Sequence, residues 1–209
     1  MVETSAAMTK AHPSIPVAWQ EQVALKPLTT MRVGGPARYF MAARSVDDVC
    51  QALLSARELK LPVLILGGGS NLVVPDEGFS GLVLKMELAG FEIVAEDEAT
   101  VTVRAAAGET WDGLVARCAE AGYWGFENLA GIPGTVGAAP IQNIGAYGQE
   151  AADTLIAVDA LERGSLEPVA LAKEECSFQY RQSIFNTTHK GRFAITAVTF
   201  RLRKEGAPC

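Results

Sequence analysis

Apolar and polar positions along this chain follow two rhythms, and each predicts its own elements. Across residues 45–60, SVDDVCQALLSARELK, apolar Val46, Val49, Cys50, Leu53 and Leu54 recur at helical spacing, which predicts a helix with one buried face. Ser45 and Asp48 stand at capping-box spacing and mark its start. Pro62 follows, and VLIL then reads as a short, fully buried strand that runs into GGGSN. Beyond it the rhythm is that of strands. GLVLKM and FEIVAE are strand candidates, and TVTVRA alternates Val101 and Val103 against Thr102 and Arg104, as a strand with one wet face does.

A second helix is expected from Trp111 to Ala121, with Thr110 as its N-cap and Gly122 as its stop. LIAVDAL and LEPVALA flank a turn containing Gly164 and read as a hairpin. The last strand, over 192–203, changes phase. Phe193 and Ile195 share one face while Val198, Phe200 and Leu202 share the other, which predicts a bulge near Thr196. Residues 1–24, small, polar and punctuated by proline, read as a loosely ordered arm, with order beginning near Leu25. The sum is a β-rich α+β fold: an early βαβ unit, then a mostly antiparallel part, in subdomains spanning 25–89 and 90–205.

A length of 209 residues allows a real core. The net charge of -6 leaves no basic stripe for phosphate backbones and argues against a nucleic-acid partner. Cys50, Cys118, Cys176 and Cys209 are scattered without a CxxC, and His12 and His189 have no neighbouring ligand pattern, so no metal site is expected. No stretch has signal-peptide or membrane-spanning character, and the expected location is the cytoplasm, away from membranes.

Three segments carry candidate chemistry. In PVLILGGGSNLVV, a strand ending in Gly67, Gly68 and Gly69 presents backbone N–H groups with no Cβ in front of them, and Ser70 and Asn71 add side-chain hydrogen bonds. A phosphate or pyrophosphate suits such a nest; the competing reading is a tight strand-to-strand turn. It is neither a Walker loop nor a GxGxxG fingerprint. The second segment, GIPGTVGAAPIQNIGAYG over 131–148, carries five glycines and no charge. Gln142 and Asn143 each offer a donor and an acceptor to the edge of a flat ligand. The competing reading is a long loop packed on the sheet, although long loops inside compact domains are usually functional. Together the two segments suggest a dinucleotide such as FAD. The third, SFQYRQSIF, sets Tyr180 and Arg181 side by side; the arginine could meet a carboxylate or a developing negative charge, or lie on the surface with its stem on the core.

TTMRVGGPA (29–37), LGGGSNLVV (66–74), GFENLAGIPGTVGAAPIQNIGAYG (125–148) and YRQSIF (180–185), in this order, resemble the UDP-N-acetylenolpyruvoylglucosamine reductase family, also called UDP-N-acetylmuramate dehydrogenases. These are flavoenzymes of bacterial peptidoglycan precursor synthesis. The resemblance covers about residues 25 to 205 and implies the FAD-binding fold shared with vanillyl-alcohol oxidase and p-cresol methylhydroxylase, built from two α+β subdomains. It places Gly67, Gly68, Gly69, Ser70 and Asn71 in the pyrophosphate loop. Pro133, Gly134, Thr135, Gly137, Ala138, Ala139, Gln142, Asn143, Gly145 and Ala146 fall on the segment that lines the cofactor. Ala138 and Ala139 stand where some relatives have serines. No histidine falls in these motifs, so FAD is expected to be held non-covalently.

The resemblance also implies NADPH as hydride donor and a UDP-sugar carrying an enolpyruvyl group as substrate. Arg181 matches the active-site arginine, and Tyr180 is a candidate on the substrate side. The family's substrate domain, with its catalytic serine and glutamate, falls downstream of the equivalent of residue 205. The expectation is therefore a cofactor-binding half with one catalytic residue, inactive by itself and in need of the absent C-terminal domain. The alternative is a non-catalytic FAD-binding module.

Overall fold

A computed structural model describes residues 15–204; residues 1–14 of the expected arm, and Cys209, lie outside the described residues. The chain first forms β1 (Gln20–Ala24), β2 (Pro36–Ala43), α1 (Val46–Glu58), β3 (Val63–Leu66) and β4 (Phe79–Met86), and its four strands make a sheet in the order β1-β2-β4-β3. Both β2 and β3 run parallel to β4, which lies between them, so the expected βαβ crossover is present with a later strand inserted.

β1 corrects the expected arm. Gln20–Ala24 pairs antiparallel with β2, yet only Val23 in it is even half-buried. Backbone pairing holds this edge, together with buried Trp19 and Leu25 on either side. A strand exposed on both faces leaves no trace in a hydrophobic pattern.

α1 begins at the expected capping box: Asp48 N–H donates to Ser45 Oγ at 3.1 Å, and Ser45 N–H to Asp48 Oδ2 at 3.0 Å. Its buried stripe is Val49, Ala52, Leu53 and Ala56, whereas Val46 and Leu54 are exposed. The helix therefore turns its alanines toward the sheet, which a count of large apolar residues overlooks. β3 is a second correction. VLIL is an edge strand in which only Leu66 is buried; its other residues line a cavity described below.

The chain continues through β5 (Phe91–Glu96), β6 (Thr100–Ala106), α2 (Trp111–Glu120), the two-residue strands β7 (Gly145–Ala146) and β8 (Gln149–Glu150), α3 (Ala151–Thr154), β9 (Leu155–Glu162), β10 (Pro168–Ala172) and β11 (Phe193–Arg203). A second, wholly antiparallel sheet has the order β10-β9-β11-β6-β5. The expected hairpin is β9–β10, and the register of β11 shifts between Ile195 and Ala197, which puts the bulge at Thr196. In β6, Thr102 is buried as well as the valines. The wet face keeps Arg104, whose guanidinium meets Asp159 at 2.7 Å and Glu92 at 3.1 Å. α2 has Thr110 in extended N-cap geometry without a side-chain cap bond, and Gly122 leaves the helix at φ 76°.

The two sheets share one core. Leu82, Leu84 and Met86 of β4 belong to the same buried cluster as Val101 and Val103 of β6 and Val198 and Phe200 of β11. The rings of Trp111, Phe126 and Phe200 meet within it at 5.5–5.8 Å, in the tilted and edge-on arrangements that aromatic quadrupoles favour.

Candidate functional site

The loop after β3 and the glycine-rich stretch before β7 meet face to face. A Cβ on Gly68 would stand 2.8 Å from Gly134 Cα, and one on Gly67 would stand 2.6 Å from Thr135 Oγ1. Ser70 Oγ donates to Pro133 O at 3.0 Å, and Asn71 Nδ2 donates to Gln142 Oε1 at 2.9 Å. Gly137 packs against Ala107, where a Cβ would come within 2.5 Å. The bare backbone at these positions thus allows close packing within the protein.

What that packing leaves open is a cleft of about 190 Å³, lined by Gly67, Gly68, Gly69, Ser70, Asn71, Pro133, Gly134, Thr135, Ala138, Ala139 and Gln142. The N–H groups of Gly68, Gly69, Ser70 and Asn71 have no acceptor among the described residues. Four successive unpaired donors in one turn, with Gly69 at φ 67°, make a concavity of the kind that suits an anion. Lys85 Nζ stands 3.5 Å from Gly67 O and adds positive charge behind the loop.

An apolar cavity of about 370 Å³ adjoins this cleft and shares Ile65, Gly67, Thr135, Ala138 and Ile141 with it. Val63 and Leu64 of β3, Phe185, Phe193 and Gly137 complete much of its wall. Arg163 stands at its rim, donating to Val63 O at 3.2 Å and Gly191 O at 3.1 Å, and burial pulls its pKa down. The apolar liners Ile65, Ile141, Trp111 and Phe185 escaped the sequence reading, because nothing separates a cavity wall from core by residue type.

Gly145 and Ala146 lie elsewhere. With Tyr147, Glu150, Asp153, Tyr180 and Arg181 they line an open groove of about 460 Å³. Gln179 and Gln182 exchange both backbone hydrogen bonds at 3.0 Å, leaving Tyr180 and Arg181 at the tip of a two-residue turn. Arg181 adopts φ 56°, a conformation uncommon outside glycine. Its Nη2 donates to Gly145 O at 2.7 Å, and its guanidinium lies 5.7 Å from the Tyr180 ring centre. Tyr180 itself is 78% exposed.

Asn143 is the expected site residue that the structure employs differently. It is 1% exposed. Its Nδ2 donates to Glu150 Oε2 at 2.7 Å and Gln179 O at 3.2 Å, and its Oδ1 accepts from Ala152 N–H at 3.0 Å. Both amide protons are used within the protein, which leaves no donor for a ligand edge.

The FAD binding domain family model matches residues 37–165. The UDP-N-acetylenolpyruvoylglucosamine reductase of Streptomyces coelicolor is 44% identical over 187 residues, which are 90% of this chain and 47% of that protein. The chain spans about half the length of the curated relatives it matches. The crystal structure of UDP-N-acetylenolpyruvylglucosamine reductase (MurB) from Thermus caldophilus aligns with a TM-score of 0.74 at 30% identity, over 89% of this chain and 63% of that one. p-Cresol methylhydroxylase aligns with a TM-score of 0.56 at 13% identity, over 87% of this chain and 38% of that one, a likeness of fold alone. With its α+β architecture and the family model matched over 37–165, the chain belongs to the FAD-binding domain family and is similar, over about half of their length, to the UDP-N-acetylenolpyruvoylglucosamine reductases.

Proposed function

We propose that the chain holds FAD non-covalently between two subdomains, 25–89 and 90–205, and is the cofactor-binding half of an NADPH-dependent UDP-N-acetylenolpyruvoylglucosamine reductase. The observation that carries this reading is the row of four unpaired N–H groups facing Pro133–Gln142 across the cleft, beside an apolar cavity. FAD fits these residues. The nest suits its pyrophosphate, and the cavity suits a planar ring that prefers to leave water.

When bound, FAD supplies hydride transfer, from NADPH to C3 of the substrate's enolpyruvyl group. Gly68, Gly69, Ser70 and Asn71 would hold its pyrophosphate by their backbone donors. The contact of Gly68 with Gly134 and the Asn71–Gln142 bond fix the width of the cleft. Hydride addition at C3 moves electrons toward the substrate's carboxylate. Arg181 answers that charge, because a guanidinium keeps its proton and can bond two carboxylate oxygens at once. Tyr180 offers the substrate an aromatic face beside it. Protonation at C2 is assigned to no residue of this chain. The UDP-sugar, and a cytoplasmic location where it would be met, belong to the same reading.

The test is FAD titration of the purified protein, followed by anaerobic addition of NADPH and then of the enolpyruvyl UDP-sugar. Flavin bleaching by NADPH supports the reading, and recovery with the UDP-sugar is expected once the family's C-terminal domain is supplied. FAD binding without either step favours a non-catalytic FAD-binding module, and no FAD binding overturns both.

A further inference from the structure

The turn that carries Arg181 is short and exposed, and its two internal hydrogen bonds do not decide where it points. Side chains from outside its tip do. Asn143 Nδ2 donates to Gln179 O at 3.2 Å, and Ser183 Oγ donates to Ile141 O at 2.7 Å. Asn143 and Ser183 are each 1% exposed. Asn186 closes the base, its Nδ2 donating to Arg181 O at 3.1 Å and its Oδ1 accepting from Ser183 N–H at 3.0 Å. Apart from Asn186, the ties run to residues 141–145, the stretch that begins at the wall of the cleft with Ile141 and Gln142 and ends at Gly145 in the groove, whose carbonyl accepts from Arg181 itself. Asn143 takes φ 43° to reach the turn, and its side chain is braced by Glu150 and Ala152.

We propose that Asn143 and Ser183 are positioning residues for Arg181. They bolt its turn to the cleft-lining stretch, so that the guanidinium keeps one place relative to whatever the cleft holds. The inference rests on the role given above to Arg181. It gives a reason for two amides in QNIGAYG that differ in function: Gln142 closes the cleft, and Asn143 carries the arginine. Buried polar groups that are fully paired specify one arrangement, and a small misplacement of a charge that meets a transition state costs far more rate than stability.

The experiment reads the Arg181 side chain directly, by its Nε–Hε signal in ¹⁵N-labelled protein, assigned through Arg181→Lys. Arg163, pinned by Val63 O and Gly191 O, is the internal control. Asn143→Ala and Ser183→Ala are expected to turn a rigid Arg181 signal into a mobile one and leave Arg163 rigid. Where Asn143→Ala fails to fold, Ser183→Ala carries the test, since it removes one small hydroxyl and its bond to Ile141 O. A rigid Arg181 in the folded variants, or loss of rigidity at Arg163 in step with it, overturns the proposal. In the enzymatic arm, with the family's C-terminal domain supplied, Ser183→Ala slows reoxidation of the reduced flavin by the UDP-sugar by about tenfold to a hundredfold and leaves reduction by NADPH within about twofold. It adds nothing to Arg181→Ala in the double variant. Equal slowing of both steps overturns the positioning role. If Arg181→Ala leaves both steps unchanged, the role given to Arg181 fails, while the NMR signals still decide whether Asn143 and Ser183 hold it.

Discussion

Asn71 and Gln142 join the two glycine-rich loops through one hydrogen bond, Asn71 Nδ2 donating to Gln142 Oε1 at 2.9 Å. The bond lies at the surface and adds little to global stability, but it closes the cleft at the end of the N–H nest. Asn71→Ala and Gln142→Ala are each expected to weaken FAD binding by about threefold to tenfold, the range of one hydrogen bond. The double variant should be no worse than either single one. Titration of flavin fluorescence checks this; additive losses would mean that the two side chains act separately.

Gly68 is held to glycine by backbone. A methyl there meets Gly134 Cα at 2.8 Å, whereas one on Gly67 meets the Thr135 hydroxyl at 2.6 Å. A hydroxyl can rotate away and a backbone cannot. Gly68→Ala should therefore cost roughly 1–3 kcal/mol as an overpacked contact and abolish FAD binding, while Gly67→Ala should be milder in both. Denaturant melts and FAD titration of the two variants decide it, and equal effects would count against this account.

The elements that could be read from the chain are those fixed by neighbours in sequence. The Ser45–Asp48 box, the β9–β10 hairpin and the bulge at Thr196 each follow from a few adjacent residues. β1 could not be read, because QEQVA has no buried face and exists only through pairing with β2. VLIL departs from the buried-strand expectation for the opposite reason: apolar residues that line a cavity and residues that fill a core have the same composition.

The site divides in the same way. The motifs named the two loops that form the cleft, since glycine and amide patterns are local. They did not separate Gln142 from Asn143. The two neighbours share one chemistry, and only the fold turns one toward Asn71 and the other into a buried contact with Gln179 and Glu150. Ser183, a small hydroxyl between Gln182 and Ile184, carries no signal in the sequence; its bond to Ile141 comes from the fold.

Arg181 at φ 56° sets two substitutions apart. Arg181→Ala loses the guanidinium and keeps the strained backbone. Arg181→Gly loses the same group and relieves the strain. Substrate reduction should be lost alike in both, yet the glycine variant should be the more stable by about 1 kcal/mol, the usual cost of a left-handed non-glycine residue. Paired denaturant melts measure the difference. Equal stability would show that the turn is not strained at Arg181.

Asp48 gives the fold a defined response to acid. Its carboxylate accepts from Arg44 N–H at 2.8 Å and from Ser45 N–H at 3.0 Å. The bond from Arg44 is the largest cause holding its pKa below the ordinary 3.8, with smaller help from Ser45. A depressed carboxylate stabilises the folded state above its unfolded pKa, and that contribution is lost as pH falls through the folded value. Asp48→Ala should thus cost about 1 kcal/mol at pH 7, a typical capping loss. The gap to the parent should stay whole down to about pH 5 and close progressively below about pH 4, where even an ordinary carboxylate takes up its proton. Urea melts of both proteins at several pH values test this. A gap that persists in strong acid would mean that Asp48 acts through neutral contacts rather than through its charge.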